Sequence, residues 1–200
     1  PVWIAASTHA GEDEQVLAAH RLVLETHPDA LLILVPRHPE RFNDVAKLTE
    51  GSGFSTVRRS CGEALARADQ VLLGDSMGEL MMFYGCADVA FVGGTLVGHG
   101  GHNYLEPAAL GLPIVSGPHS FNFAEISTLL EGAGALKRAQ DQTGLSAAVA
   151  ELMNEPKVAR QAGAAGLAVV KDNQGALDSL LDGIGTLLPG VGNQMAPDAG

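Results

Sequence analysis

The sequence predicts a doubly wound α/β fold, in which helices cover both faces of a parallel sheet. Three observations favour this class. Apolar runs alternate with helical stretches over the first 136 residues, several helical stretches begin with a capping pattern, and 46% of the 200 residues are apolar. Apolar strands that alternate with helices are typical of parallel sheets buried on both faces. A chain of this length buries roughly 70% of its unfolded surface, so one compact domain needs no disulfide or metal to fold.

The predicted elements follow from these alternating runs. Strong strand signals occur at residues 2–6, 31–35, 71–74, 88–92 and 113–116, and weaker ones at residues 54–57 and 135–136. Helices are predicted between them at residues 12–26, 39–50, 77–85, 104–110 and 123–131. Ser76, Asn103 and Asn122 each stand three residues before a glutamate, which is a capping-box pattern worth about 1 kcal/mol per helix start.

The remainder of the chain is alanine-rich and helical in pattern. Two apolar faces are separated by Pro156; their members are Leu145, Val149, Leu152 and Met153, and then Leu177, Leu180, Leu181, Ile184 and Leu188. Residues 189–200 have no periodicity and predict a loose tail, so the predicted domain comprises residues 1–188. The chain begins inside an apparent strand without an initiator methionine, and we expect it to be part of a longer protein.

Charge and cysteine content exclude several classes of partner. The net charge of −11 disfavours non-specific binding to nucleic acid or anionic lipid. No apolar run reaches the roughly 18 residues that a membrane span needs. Cys61 and Cys86 form no Cys-x-x-Cys motif, and we predict that both are small core residues of a protein from a reducing compartment.

The most informative segment is the glycine-rich stretch at residues 91–107. An apolar run ends in a turn with five glycines and restarts as a helix. A strand that feeds such a turn exposes backbone N–H groups at the next helix start, where a phosphate binds well. Asn103 stands where the dinucleotide-binding fingerprint needs its third glycine, and no Gly-x-x-x-x-Gly-Lys-Ser/Thr loop occurs. An ordinary surface loop is the alternative interpretation.

Other polar residues follow the predicted strands and should meet at the carboxyl edge of the sheet. Arg37 and His38 are natural partners for an anion, since a guanidinium forms strong hydrogen bonds with phosphate. The alternative for Arg37 is an ion pair with Glu40 or Asp44.

Further candidates each have a structural alternative. Ser7 and Thr8 could bind the anion or cap the first helix. Glu106 could pair with Asn103 in a capping box or bind the vicinal hydroxyls of a ribose. His102 is interpreted as a hydrogen-bond donor to a ligand or a neighbouring loop.

The remaining histidines of this edge receive no assigned role. His99 and His102 have a His-x-x-His spacing, but no third ligand is near them in the sequence, and no metal site is predicted. His9 and His119 lie on the same predicted edge. The sequence contains no recognisable nucleophile, so the residue that performs chemistry is expected elsewhere.

Six segments resemble the carboxyl-terminal half of the bacterial Kdo (3-deoxy-D-manno-octulosonic acid) transferases. They occur in the order of that family, over residues 1 to about 136: Trp3-Ile-Ala-Ala-Ser-Thr-His9, Leu32-Ile-Leu-Val-Pro-Arg-His-Pro-Glu-Arg-Phe42, Gly74-Asp-Ser-Met-Gly-Glu-Leu80, Ala87-Asp-Val-Ala-Phe-Val-Gly-Gly-Thr95, Gly100-Gly-His-Asn-Tyr-Leu-Glu-Pro107 and Gly117-Pro-His-Ser-Phe-Asn-Phe123. Ser76 is a small departure, where the family is expected to have threonine.

The resemblance implies a GT-B glycosyltransferase with two Rossmann-like domains, of which this chain is the donor-binding one. It implies CMP-Kdo as donor substrate without a cofactor, a lipid A precursor as acceptor, and a role in lipopolysaccharide synthesis at the cytoplasmic face of the inner membrane. The general base and the membrane-facing acceptor surface would belong to the amino-terminal half, and the fragment alone would be soluble and inactive.

The resemblance also implies roles for individual residues. Arg37 and His38 would neutralise the donor's charge, and Gly101, His102 and Asn103 would present the helix terminus. Glu106 would contact the ribose. The cytosine would lie beside the loop after the predicted strand at residues 71–74, at Ser76, Met77 and Gly78.

Two other functions remain compatible with the residues. One is a different GT-B enzyme with a UDP- or GDP-sugar donor, and the other is a non-enzymatic nucleotide-binding module. A dehydrogenase is disfavoured by Asn103.

Overall fold

The computed structural model describes the backbone of residues 1–187 and the side chains of residues 1–173. Its core is a seven-stranded, all-parallel sheet with the order β3-β4-β2-β1-β5-β6-β7. The strands are β1 (Val2–Thr8), β2 (Leu31–Pro36), β3 (Thr56–Arg58), β4 (Val71–Leu73), β5 (Val89–Val92), β6 (Ile114–Ser116) and β7 (Leu136–Arg138). All five strong strand signals and both weak ones therefore correspond to strands of one sheet.

Helices connect the strands and cover both faces. They are α1 (Asp13–Thr26), α2 (Phe42–Gly51), α3 (Leu80–Gly85), α4 (Leu105–Ala109), α5 (Ala124–Gly132), α6 (Gln142–Asn154) and α7 (Pro156–Leu187). Single 3-10 turns occur at Pro39–Arg41, Arg59–Cys61 and Phe121–Phe123. Among the described helices, none combines the length and the apolar character of a membrane span. The second predicted apolar face, beyond residue 173, and the predicted tail lie outside the described side chains and backbone.

The central strand β1 shows why the sheet needs helices on both sides. Trp3 and Ala5 face the core that α1, α2 and α6 cover, whereas Ile4 and Ala6 face the opposite core against α3. All four side chains are fully buried. This confirms the predicted doubly wound class, because a strand that buries alternate residues on both faces reads as a continuous apolar run.

A buried polar pair lies within the first core. The Trp3 indole N–H donates to His20 Nδ1 at 3.1 Å, and His20 Nε2 lies 2.9 Å from the carbonyl oxygen of Gln70. An indole N–H can only donate, so His20 must be the neutral tautomer with hydrogen on Nε2. Burial lowers the pKa of His20 to about 4, which agrees with a neutral ring.

The predicted helix starts were less accurate than the strands. Helix α3 begins at Leu80 rather than residue 77, because Gly78 has a left-handed backbone (φ 79°), which a helix cannot contain. Ser76 therefore caps no helix, and its hydroxyl bonds the Glu79 carboxylate. Asn122 is likewise not a cap, since its amide donates to the carbonyl oxygen of His99 at 2.9 Å.

The side chain of Asn103 comes nearest to the predicted pattern. Its Oδ1 accepts the N–H of Leu105 at 3.0 Å, but no hydrogen bond from Glu106 to Asn103 closes a box within the described residues.

The prediction for the cysteines was wrong. Cys61 and Cys86 are both exposed, because each follows a short helical turn at the surface rather than a strand.

Helix α6 has a side-chain cap that local patterns did not predict. Asp141 Oδ1 accepts the N–H of Gly144 at 2.8 Å. Replacement of Asp141 by alanine should lower the free energy of unfolding by about 1 kcal/mol, since it removes a partner of an otherwise unpaired amide. Urea denaturation measures this, with Asp141→Asn as the variant that keeps the cap. Equal losses in both variants would contradict the capping role.

Candidate functional site

The loops that follow β1, β2, β4, β5 and β6 lie at the carboxyl edge of the sheet. We call this edge the rim; it comprises residues 7–12, 37–41, 74–79, 93–104 and 117–123. Direct contacts join neighbouring loops: the N–H of Arg37 donates to the carbonyl oxygen of Thr8 at 3.0 Å, and the N–H of His119 donates to that of Thr95 at 3.0 Å. The predicted convergence of these loops is therefore present in the structure.

The glycine-rich loop folds back on itself before it enters α4. Gly101 donates its N–H to the carbonyl oxygen of Gly94 at 3.0 Å. Gly100 and Gly101 have φ values of 87° and 82°, a left-handed conformation that side chains disfavour. The N–H of Gly101 is thus already used within the loop.

The N–H groups of the next two residues are not used within the loop, and helix α4 is shorter than predicted. In the part of the chain that the structure describes, the N–H groups of His102 and Asn103 have no protein acceptor. Helix α4 has only five residues, so the contribution of its dipole is smaller than the predicted helix implied.

Four imidazoles cluster where three loops of the rim meet. His9 Nε2 lies 2.7 Å from His102 Nε2, and the His9 ring stacks on His99 with 4.1 Å between centroids. His38 packs edge-on against His9 with 5.4 Å between centroids. The cluster joins His38 and His102, two predicted ligand-binding residues, to His9 and His99, whose roles the sequence left unassigned.

The chemistry of this cluster is hydrogen bonding rather than charge. Burial and the neighbouring imidazoles lower the pKa of His9 to about 4. Burial, and then the positive charge of Arg37, lower the pKa of His102 to about 4. Both rings are therefore neutral near pH 7, and one of the two facing Nε2 atoms must carry the hydrogen. Within the described residues, no group of three His, Cys, Asp or Glu side chains is arranged to hold a metal ion.

Arg37 supplies the cation beside the cluster. Its side chain is exposed, and among the described residues it forms no ion pair with an acidic group, so the alternative pairing with Glu40 or Asp44 is not seen. Arg41, by contrast, bonds both the buried carboxylate of Asp13 and the carbonyl oxygen of Thr8. Of these two arginines, Arg37 is the one whose guanidinium is available to an anion.

The two hydroxyl residues after β1 have different environments. Thr8 is fully buried, and its hydroxyl donates to Asp13 Oδ1 at 2.6 Å. That contact gives the Thr8 side chain a structural role, but it joins two side chains and is not the predicted cap of the first helix. Ser7 is half-buried and has a left-handed backbone with φ 59°, which is uncommon for a residue other than glycine. Ser7 therefore turns the chain from the strand into the rim.

The loop after β4 is held in place by the buried carboxylate of Asp75. Asp75 accepts the guanidinium of Arg58 at 2.7 Å and the hydroxyl and N–H of Ser60 at 2.6 and 2.8 Å. Burial opposes ionisation, but these hydrogen bonds hold the pKa of Asp75 below its usual range. Asp75 is followed by Ser76, which is half-buried, and by Met77 and Gly78, which are exposed.

Sequence reasoning did not identify Arg58 and Ser60 as supports of this loop, although the position of Asp75 directly after a strand was a usable signal. Their contacts join residues that lie well apart in the chain.

Glu106 lies just beyond the rim, on α4. It is half-buried and lines a cavity of about 390 Å³ with Asn103 and Met81. Leu105, Ala109, Val170 and Asn173 complete the lining. The negative charge of Glu106 adds to burial in raising the pKa of the Tyr84 hydroxyl. A carboxylate at the mouth of a largely apolar cavity suits a ligand with both hydroxyl groups and a flat ring.

Glu12 is the rim residue that the sequence did not single out. Its fully buried carboxylate accepts the N–H groups of Gly94 at 2.7 Å, Thr95 at 3.0 Å, Leu96 at 3.0 Å and His9 at 3.2 Å. Burial raises the pKa of Glu12, and the four donors oppose that rise. The carboxylate joins the loops after β1 and β5.

Comparisons with known proteins show which family the chain resembles. Residues 1–169 match the family described as glycosyl transferases group 1. The chain is 52% identical, over 91% of its length and 43% of the relative's, to the 3-deoxy-D-manno-octulosonic acid transferase of Haemophilus influenzae. It is 39% identical, over 92% of its length and 45% of the relative's, to the protein of the same name from Bordetella pertussis. The chain thus spans less than half the length of these curated relatives.

A solved structure is similar to this chain over most of the chain's length. The C-terminal CMP-Kdo binding domain of WaaA from Acinetobacter baumannii superimposes with a TM-score of 0.81 at 39% identity. The match covers 84% of this chain and 88% of that domain.

Proposed function

The chain belongs to the group 1 glycosyl transferases and, within them, to the 3-deoxy-D-manno-octulosonic acid (Kdo) transferases, and from this premise we propose that it binds the donor CMP-Kdo. The observation that carries the proposal is Arg37, which has no acidic partner among the described residues and lies beside the neutral imidazoles of the rim. The 39% identity to the CMP-Kdo binding domain of WaaA from Acinetobacter baumannii supports the same ligand.

The phosphate of the donor would lie between Arg37 and the start of α4. The guanidinium offers charged hydrogen bonds, and the His38 side chain and the amides of His102 and Asn103 are further donors. Transfer of Kdo releases CMP, so negative charge develops on this phosphate as the bond to the sugar breaks. Donors already fixed around it stabilise that charge without reorganisation. The role of Gly101 is to shape the loop, because its own N–H is used internally.

The nucleoside would extend from the phosphate toward α3 and α4. The Glu106 carboxylate can accept hydrogen bonds from both ribose hydroxyls. The cytosine would contact Ser76, Met77 and Gly78, which the Asp75 network holds in place. Ser7 would contact the anion. Thr8 would support the rim from beneath, through the contact of its hydroxyl with Asp13.

The complete reaction needs more than this chain. We assign the general base, the lipid A precursor as acceptor and contact with the membrane to the part of the relatives that the chain does not span. The full protein would transfer Kdo in lipopolysaccharide synthesis at the cytoplasmic face of the inner membrane of a Gram-negative bacterium. We expect the chain alone to bind CMP and to show no transfer.

Calorimetric titration of CMP tests the site. Arg37→Ala should weaken CMP binding about tenfold or more, since a charged hydrogen bond contributes about 1.5–3 kcal/mol. Glu106→Ala should weaken CMP binding about tenfold but should leave the affinity for inorganic phosphate unchanged, because it contacts the ribose.

Arg67→Ala is the matched control for Arg37. Arg67 is an exposed arginine that pairs with Asp29 on the surface, away from the rim. Wild-type affinity for CMP in both Arg37→Ala and Glu106→Ala would remove the site assignment.

A panel of nucleotides separates the alternatives. Clear preference for UDP or GDP over CMP would favour a group 1 enzyme with another donor. A protein whose melting temperature responds to none of them would favour a module without a nucleotide site.

A further inference from the structure

Three of the loops that would hold the donor, those after β1, β5 and β6, are connected through one buried carboxylate of the protein itself, that of Glu12. The three successive amides of Gly94, Thr95 and Leu96 converge on one carboxylate, that of Glu12. Converging amides of this kind form a concavity that binds anions. In this chain the concavity is filled by a side chain, so it is not the site of the donor phosphate.

The Glu12 carboxylate is connected to the proposed phosphate site through two short paths. Along the first, it binds the N–H of Gly94, whose carbonyl oxygen accepts the N–H of Gly101, the residue before His102. Along the second, it binds the N–H of His9, whose ring meets that of His102 at 2.7 Å. Displacement of the Glu12 carboxylate would therefore shift both the backbone and the ring of His102.

A third contact connects the Glu12 carboxylate to the loop after β6. Thr95, whose N–H binds Glu12, accepts the N–H of Gly117 on its hydroxyl at 2.8 Å. One carboxylate thus sets the relative positions of the loops after β1, β5 and β6.

We propose that Glu12 is a positioning residue for donor binding: its buried carboxylate is a fixed internal anion that holds the loops of the rim in the conformation that receives the donor. This inference rests on the proposed function. A carboxylate is needed rather than an amide, because all four contacts are donated to it and a side-chain NH₂ group would face N–H groups. Glu12 does not touch the donor in this arrangement, and Arg37 remains the group that contacts the phosphate.

The test compares variants at Glu12 with a control at Glu14, an exposed carboxylate in the same helix turn. We expect Glu12→Gln to bind CMP at least tenfold more weakly than the wild-type chain, and Glu14→Gln to bind it equally well. Equal CMP affinity for Glu12→Gln and the wild type would overturn the proposal.

Chemical rescue distinguishes a positioning anion from a residue that only supports the fold. Glu12→Ala leaves the four amides facing a space that an acetate ion matches, since its methyl group takes the place of the lost Cγ. Added acetate should therefore restore most of the CMP affinity of Glu12→Ala, whereas chloride at the same ionic strength should not. Absence of rescue in a folded Glu12→Ala variant would contradict the proposal.

Hydrogen exchange tests the Glu12 contacts in the unaltered chain, even if the variants do not fold or CMP does not bind. In the unaltered chain, the amides of residues 94–96 should exchange more slowly than that of Gly98, an exposed residue of the same loop. Equal exchange rates would overturn the inference. Slow exchange together with no CMP binding by the wild type would instead reject the proposed function and leave the Glu12 arrangement standing.

Discussion

Replacement of Gly117 by alanine should lower the melting temperature of the domain by roughly 10 °C. A Cβ atom at this position would lie 2.2 Å from the carbonyl oxygen of Thr95 and 2.5 Å from the backbone nitrogen of Leu96. Both neighbours are backbone atoms that are already held, because the Leu96 N–H donates to Glu12 and the Thr95 carbonyl accepts the N–H of His119. Forced overpacking of this kind costs about 3 kcal/mol, and each kcal/mol shifts the melting temperature of a domain of this size by roughly 2–4 °C.

Gly98→Ala is the matched control for this prediction. Gly98 lies in the adjacent glycine-rich loop, but a Cβ atom there would have no neighbour within 4 Å. Differential scanning fluorimetry of the two variants measures the effect. Equal melting temperatures for Gly117→Ala and the wild type would show that the loops after β5 and β6 can separate without loss of stability.

Acidification should destabilise the fold through His20. The pKa of this histidine is about 4 in the folded chain, against an ordinary value of 6.5. Between these two pH values the unfolded chain binds the proton and the folded chain does not, so the free energy of unfolding falls as the pH falls. The contribution is complete above pH 6.5 and is lost by about pH 4, at about 1.4 kcal/mol per pH unit, or about 3 kcal/mol in total.

The main cause of the lowered pKa is burial of the ring, and the Trp3 indole N–H donates to the nitrogen that would have to take up the proton. Urea denaturation from pH 4 to pH 8 should show a shallower pH dependence for His20→Gln than for the wild type. Parallel profiles for His20→Gln and the wild type would contradict the role of His20.

Most of the sheet could be predicted because its signal is local. A buried parallel strand is an apolar run, and the runs at residues 31–35 and 88–92 lie within or next to the observed β2 and β5. Helix starts are also local in principle, but Ser76 and Asn122 had the right spacing and do not cap. The left-handed Gly78 and the contact of Asn122 with His99 override the pattern.

The parts of the site that were missed depend on contacts between distant residues. Glu12 looks like an ordinary first-turn glutamate, and three of its four amide partners lie in another loop, more than eighty residues further along the chain. The histidine cluster has the same origin, since His9 and His102 meet only when β1 and β5 pair. The position of Arg37 at the rim could be predicted because a residue directly after a parallel strand lies at the carboxyl edge of the sheet.

The placement of β1 in the middle of the sheet has a consequence for how the chain refolds. Val2 pairs with Leu31 in β2, whereas Trp3 pairs with Val89 in β5. Closing the longer loop costs about 1 kcal/mol more in chain entropy, so the half of the sheet that contains β2 should assemble ahead of the half that contains β5. The imidazole cluster and the Glu12 contacts join these two halves, so the ligand-binding edge should be among the last features to form during refolding.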